Sequence, residues 1–60
     1  MRKGTRLRDT LTGSQWTIQQ IWKTDPGTRF RWHDLVSDKG AHRRVLTGEL
    51  EERYEEVKEQ

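Results

Sequence analysis

The sequence predicts a mainly β domain, a small barrel of four to five antiparallel strands followed by a short C-terminal helix. Three observations lead to this fold class. Short segments alternate between apolar and polar residues with the period of a strand. The second of these segments skips one residue, as a β-bulge does. The chain has 60 residues of which 28 % are hydrophobic, too few for two stacked sheets. A bent strand lets a small sheet curl and close on itself, so we expect a barrel.

The first two strands are predicted over about residues 5–9 and 15–22. Leu7 is the inward residue of the first strand, which ends in the turn-forming segment 12–14. In the second strand, Trp16 begins an alternation that is interrupted before Ile21, and this interruption predicts the bulge. Trp22 follows an inward residue and is therefore expected to point outward.

The third and fourth strands are predicted over about residues 28–35 and 41–46. The segment Asp25-Pro26-Gly27 precedes the third strand and has the composition of a tight turn. A polar turn at 37–40 then joins the two strands as a hairpin. The alternation in the third strand places two aromatic residues inward, Phe30 and Trp32, and three polar residues outward, Arg29, Arg31 and His33.

A helix is predicted over about residues 48–57. Thr47 or Gly48 is suited to cap it, and glutamates follow in the first turn, where the helix dipole favours negative charge. Leu50, Tyr54 and Val57 lie at helical spacing and form one narrow apolar stripe that must dock on the sheet. No linker composition divides the chain, so we expect one domain over residues 1–60.

This order of features resembles the SH3-like small barrels, which include Tudor-like and KOW-like modules. The segments that carry the resemblance are Gly4-Thr5-Arg6-Leu7-Arg8-Asp9, Thr12-Gly13, Trp16-Thr17-Ile18-Gln19-Gln20-Ile21, Phe30-Arg31-Trp32 and Glu49-Leu50-Glu51-Glu52-Arg53-Tyr54. Similar layouts occur in small bacterial, phage and archaeal proteins of unassigned function. The resemblance implies a barrel and a binding role rather than catalysis.

Composition disfavours most enzyme and metal-site classes. The chain has no cysteine and only two histidines, His33 and His42, too few for a structural zinc site, although the two histidines could meet across a hairpin as a pH-sensitive pair or weak metal site. No nucleophile arrangement, phosphate-binding glycine loop or metal-hydrolase motif occurs, so we predict no catalytic residue and no cofactor. No long apolar segment predicts a membrane span or a secretory signal, and we expect a cytoplasmic protein.

Charge is distributed unevenly. Residues 1–47 contain ten Lys and Arg against four Asp, whereas residues 48–60 contain six Glu against two basic residues. A basic sheet face attracts phosphates, and an exposed tryptophan among the cations can stack on a base. We therefore predict a low-specificity nucleic-acid-binding module. The residues predicted to form its surface are Trp22, Lys23, Arg29, Arg31, Arg43 and Arg44.

Several alternatives remain open at the level of sequence. The arginines can be a solvated face, with Trp22 covering one end of the barrel. Trp16 and Trp32 are expected in the core, although an aromatic cage would use the same residue type. The whole chain can instead be a protein-interaction module that captures a peptide or belongs to a larger complex. The glutamates near the C-terminus can be a solvated helix face or can compete with nucleic acid for the basic surface.

Overall fold

The computed structural model describes residues 2–23, 27 and 29–57. Its strands form one antiparallel sheet in the order β4-β3-β2-β1-β5. The prediction of a mainly β fold with a short helix is confirmed. The elements are β1 (Arg6–Asp9), β2 (Gln15–Lys23), β3 (Arg31–Ser37), β4 (His42–Leu46), α1 (Thr47–Arg53) and β5 (Tyr54–Glu56).

The predicted bulge in β2 is confirmed. Ile18 pairs with Leu35 and Gln20 pairs with Asp34, so Gln19 is the extra residue on the β2 side. The extra residue reverses which positions of β2 face inward. As a result Trp22 lies on the outer face of the sheet, where 48 % of its surface is exposed, as the sequence predicted.

One small core lies on the inner face of the sheet. Strand alternation brings the inward residues of all five strands together, and α1 adds Leu50 to them. Ile21 is partly buried against this core. The buried hydrophobic residues are Leu7, Trp16, Ile18, Leu35, Val45, Leu50 and Tyr54.

The outermost strands, β4 and β5, are not hydrogen-bonded to each other in the described part of the chain, so the sheet is not closed into a barrel by its backbone. Side chains cross the gap instead. Arg43 on β4 donates from Nη1 to Asp9 Oδ2 on β1, at 3.2 Å, and to the Tyr54 hydroxyl oxygen on β5. Its guanidinium also lies 4.5 Å from the centre of the Trp16 ring. These contacts connect the two edges of the curled sheet.

The helix predicted over about 48–57 is too long. It ends at Arg53, and Tyr54–Glu56 pair with β1 as a fifth strand. The backbone N–H of Val57 also donates to the carbonyl oxygen of Arg6, at 2.9 Å. A short isolated helix is marginal, whereas pairing with β1 satisfies the backbone groups of both strands.

The predicted inward and outward residues of the third strand are reversed. Trp32 is 38 % exposed and Phe30 is 59 % exposed, whereas His33 is buried on the inner face. Residues of one strand that face the core must be two apart, so a buried Leu35 requires an inward His33 and an outward Trp32. The segment begins as a strand at Arg31 rather than at about residue 28. Of the predicted turn, Asp25 and Pro26 lie outside the described residues, and Gly27 has a φ of 87°, which favours glycine.

Candidate nucleic-acid interface

Two tryptophans lie side by side on the outer face of the sheet. Trp22 on β2 pairs directly with Trp32 on β3, and Leu46 on β4 lies next to Trp32 in the same row. The two indoles, here called the tryptophan pair, are 48 % and 38 % exposed. Directly opposed residues of an antiparallel pair have Cβ atoms about 4.5–5.5 Å apart, so the two indoles are neighbours on the outer face.

Hydrogen bonds fix the orientation of Trp22. Its Nε1–H donates to Asp34 Oδ2, at 2.7 Å, and Arg44 Nε donates to Asp34 Oδ1, also at 2.7 Å. The hydrogen bond from Arg44, followed by that from Trp22, holds the pKa of the Asp34 carboxyl below its usual range. Because the indole is held by these contacts, little rotamer entropy remains to be lost when a ligand packs on its face.

Three cations lie at the same end of the sheet as the tryptophan pair, where strand alternation directs Lys23 and Arg31 to the opposite face from the indoles. Lys23 pairs with Arg31 in the strand register, and Arg29 lies in the segment that precedes β3. All three are exposed, and none forms an ion pair with another described residue. Thr47 Oγ1 accepts a hydrogen bond from the Arg31 backbone N–H at 2.9 Å, which connects the start of β3 to α1. The aromatic surface and these cations therefore form one end of the sheet.

The structure separates the six residues that the sequence predicted as a nucleic-acid surface. It brings Trp22, Lys23, Arg29 and Arg31 to the end of the β2–β3 hairpin. Arg44 lies on the outer face beside Asp34, with 60 % of its side chain exposed. Arg43 lies on the inner face, where it binds Asp9 and Tyr54.

Asp9 explains the position of Arg43. The side chain of Asp9 is 1 % exposed and accepts hydrogen bonds from the Leu11 backbone N–H, at 2.9 Å, and from Arg43. The hydrogen bond from Leu11 is the largest of the contributions that lower the pKa of the Asp9 carboxyl, and Arg43 adds to it against the effect of burial. Arg43 thus compensates a buried charge.

The two histidines do not form a pair. His33 pairs with Val45 on the inner face and His42 pairs with Val36 on the outer face, so the sheet separates their side chains. Burial lowers the pKa of the His33 imidazole, whose Nδ1 has no hydrogen-bond partner among the described residues. Within the described ranges no three His, Asp or Glu side chains are grouped as metal ligands require.

Trp32 and Asp34 belong to the candidate site and were not among the residues predicted from the sequence. The signal for Trp32 was present in the segment Trp32-His33-Asp34-Leu35, because an inward Leu35 excludes an inward Trp32. For Asp34 the sequence carries no comparable signal. Its role depends on the pairing of β3 with both neighbouring strands, which the sequence alone does not reveal.

Comparison of the chain with protein-family models, with curated proteins and with solved structures gives no match in any of the three. In the part of the chain that the structure describes, no helix has the length and apolar character needed to cross a membrane.

Proposed function

We propose that this chain is a cytoplasmic, non-enzymatic module that binds single-stranded nucleic acid with low sequence specificity. The observation that carries the proposal is the exposed tryptophan pair at the end of the sheet that also carries Lys23, Arg29 and Arg31. Large exposed apolar patches are uncommon on small soluble proteins and mark interaction sites. Base stacking on aromatic side chains contributes about 1–3 kcal/mol per base, and nearby cations attract the phosphates.

Single strands fit this surface better than duplexes do. The bases of a duplex are stacked on each other and their faces are hidden, whereas the bases of a single strand can stack on an indole. The Trp22 Nε1–H donates to Asp34 and is not available to a base edge. Stacking on the ring face alone tolerates every base, which supports low specificity.

We also propose that the chain is an SH3-like barrel. The support is the single five-stranded antiparallel sheet, the bulge that bends β2, and the Arg43 contacts that connect its two edges. Modules of small-barrel type serve many functions, so this likeness adds little to the functional proposal.

The main competing function is protein binding, because an exposed indole surface also suits an apolar partner. The dependence of affinity on salt concentration distinguishes nucleic-acid binding from protein binding. Nucleic-acid affinity falls steeply with salt concentration as counterions are released, whereas the burial of apolar surface against a protein tolerates added salt. Affinity for an oligonucleotide is therefore measured at several salt concentrations.

The test is the fluorescence anisotropy of a labelled mixed-sequence oligonucleotide, used as single-stranded DNA, as single-stranded RNA and as a duplex. We expect the single strands to bind more tightly than the duplex. Trp22→Ala should weaken single-strand binding by about 5-fold or more, the loss of one stacked base. Arg31→Ala should lower the salt slope by about 0.7, the value for one phosphate contact on a single strand.

Two variants serve as matched controls. Leu11→Ala removes another exposed apolar side chain, 73 % exposed, from the turn at the opposite end of β2. Arg8→Ala removes an exposed guanidinium that pairs with Glu55 at 2.7 Å, at the β1–β5 edge of the sheet and away from the tryptophan pair. Both should bind like the unmodified protein. Undetectable binding at low salt would overturn the proposal and leave the protein-binding function, and equal losses in the test and control variants would show that no specific surface is used.

A further inference from the structure

A groove lies beside the β2 bulge. It has a volume of about 330 Å³, and residues from β2, β3 and β4 form its walls. The extra residue of the bulge, Gln19, lines one side. The residues that line the groove are Gln19, Asp34, Leu35, His42, Arg43 and Arg44.

The groove adjoins the tryptophan pair. Asp34 lines the groove and also accepts the hydrogen bond from Trp22 Nε1, so the two features share a side chain. Along β3, Asp34 follows Trp32 by two residues and lies on the same face. Two residues of a β-strand span about 6.6–6.8 Å. When one base of an extended single-stranded nucleic acid stacks on the tryptophan pair, the next base can therefore reach the groove.

The polar groups of the groove suit a base. The Asp34 carboxylate is ionised, since its pKa is lowered, and its oxygens accept hydrogen bonds, as the amino group of a base requires. Arg44 already directs Nε and Nη2 to this carboxylate. The Gln19 amide makes no side-chain hydrogen bond with any described residue, so both its carbonyl oxygen and its NH₂ group remain available.

We propose that this groove is a base-reading subsite that prefers a base with an amino group at pyrimidine C4 or purine C6, cytosine or adenine, over thymine or uracil. The inference rests on the proposed single-strand binding at the tryptophan pair. The amino group donates to Asp34 or to the Gln19 carbonyl oxygen, and the Gln19 NH₂ group donates to a ring acceptor of the base. A thymine or uracil turns a carbonyl oxygen toward the carboxylate at the same position, which is repulsive.

The test compares oligo-dC with oligo-dT of equal length, because the two bases have the same ring size. Affinities are measured by anisotropy at one low salt concentration. We expect oligo-dC to bind about 5-fold or more tightly than oligo-dT, the lower end of the discrimination that a bidentate contact gives. Gln19→Ala should reduce this ratio toward one. Gln15→Ala, at the exposed start of the same strand, is the control and should retain the ratio.

The outcomes separate this inference from the proposed function. Equal affinities of the unmodified protein for the two oligonucleotides overturn the subsite while leaving single-strand binding intact. If Gln19→Ala retains the preference for oligo-dC over oligo-dT, the subsite is also overturned, because the preference then does not come from the groove. Failure of both oligonucleotides to bind overturns the proposed function and the subsite together. Thermal unfolding of Gln19→Ala, followed by circular dichroism, checks that the bulge still folds.

Discussion

Two neighbouring residues, Arg43 and Arg44, form similar clusters on opposite faces of the sheet. In each cluster a guanidinium bonds a carboxylate, and an aromatic side chain makes a further hydrogen bond to one of the charged groups. The inner cluster consists of Arg43, Asp9 and Tyr54, and the outer cluster consists of Arg44, Asp34 and Trp22.

The clusters differ in their exposure to water. The Asp9 side chain is 1 % exposed, whereas that of Asp34 is 24 % exposed. A buried charge without its partner is strongly destabilising, whereas an exposed ion pair contributes little to stability. We infer that similar chemistry connects the edges of the sheet on the inner face, and positions Trp22 for a ligand on the outer face.

The largest expected contrast is between the aromatic residues of the two faces. Trp16→Ala should reduce the free energy of unfolding by about 3–5 kcal/mol, because it removes a core indole and the ring under the Arg43 guanidinium. Trp32→Ala should reduce it by about 1 kcal/mol or less, the range for one cross-strand pair. Urea unfolding followed by circular dichroism measures both values. Equal losses would contradict the assignment of Trp32 to the exposed face.

The next contrast is between the two arginines. Arg43→Ala leaves the buried Asp9 carboxylate without its ion pair and should cost about 3 kcal/mol. Arg44→Ala leaves the more exposed Asp34 without its ion pair and should lower the free energy of unfolding much less than Arg43→Ala does. The same urea titration compares them. A larger loss for Arg44→Ala than for Arg43→Ala would reverse the roles that we assign to the two clusters.

The inner face was partly predictable from the sequence. The alternation around Leu7, Trp16 and Ile18 identified core residues, and the skipped residue before Ile21 identified the bulge, because both signals are local. In β3, Leu35 and the two aromatic residues Phe30 and Trp32 cannot face the same side, and the prediction placed the aromatic residues inward. In the structure Leu35 is buried opposite Ile18, and the Trp32 indole lies at the surface.

The clusters themselves were not predictable. Asp9 and Arg43 are 34 residues apart, and only the curling of the sheet brings them together. The spacing of Leu50 and Tyr54 fits a helix, but the pairing of Tyr54 with Asp9 decides that the last segment is a strand. Long-range pairing of this kind leaves no local pattern, so the partners of the predicted arginines could not be identified from the sequence.

The smallest expected effect is on the dependence of stability on pH. Burial lowers the pKa of His33, so the unfolded chain binds a proton more readily, and stability should begin to fall below about pH 6.5, the ordinary pKa of an imidazole. The pKa values of Asp9 and Asp34 are also lowered. Their contributions are present above about pH 3.9, the ordinary value for Asp, and are lost as the pH falls through the lower pKa of the folded state.

Asp9→Asn and Asp34→Asn should each reduce the loss of stability at acidic pH. Added salt should affect the two variants differently. The pKa of Asp34 is lowered chiefly by an exposed arginine, whose effect on the carboxylate is screened by salt. The pKa of Asp9 is lowered chiefly by the backbone N–H of Leu11 at a buried position, where salt screens much less. At high salt the Asp34→Asn profile should approach that of the unmodified protein, whereas Asp9→Asn should still differ from it. Thermal unfolding measured across pH at two salt concentrations checks this, and a salt-dependent difference at Asp9 alone would contradict the burial of the inner cluster.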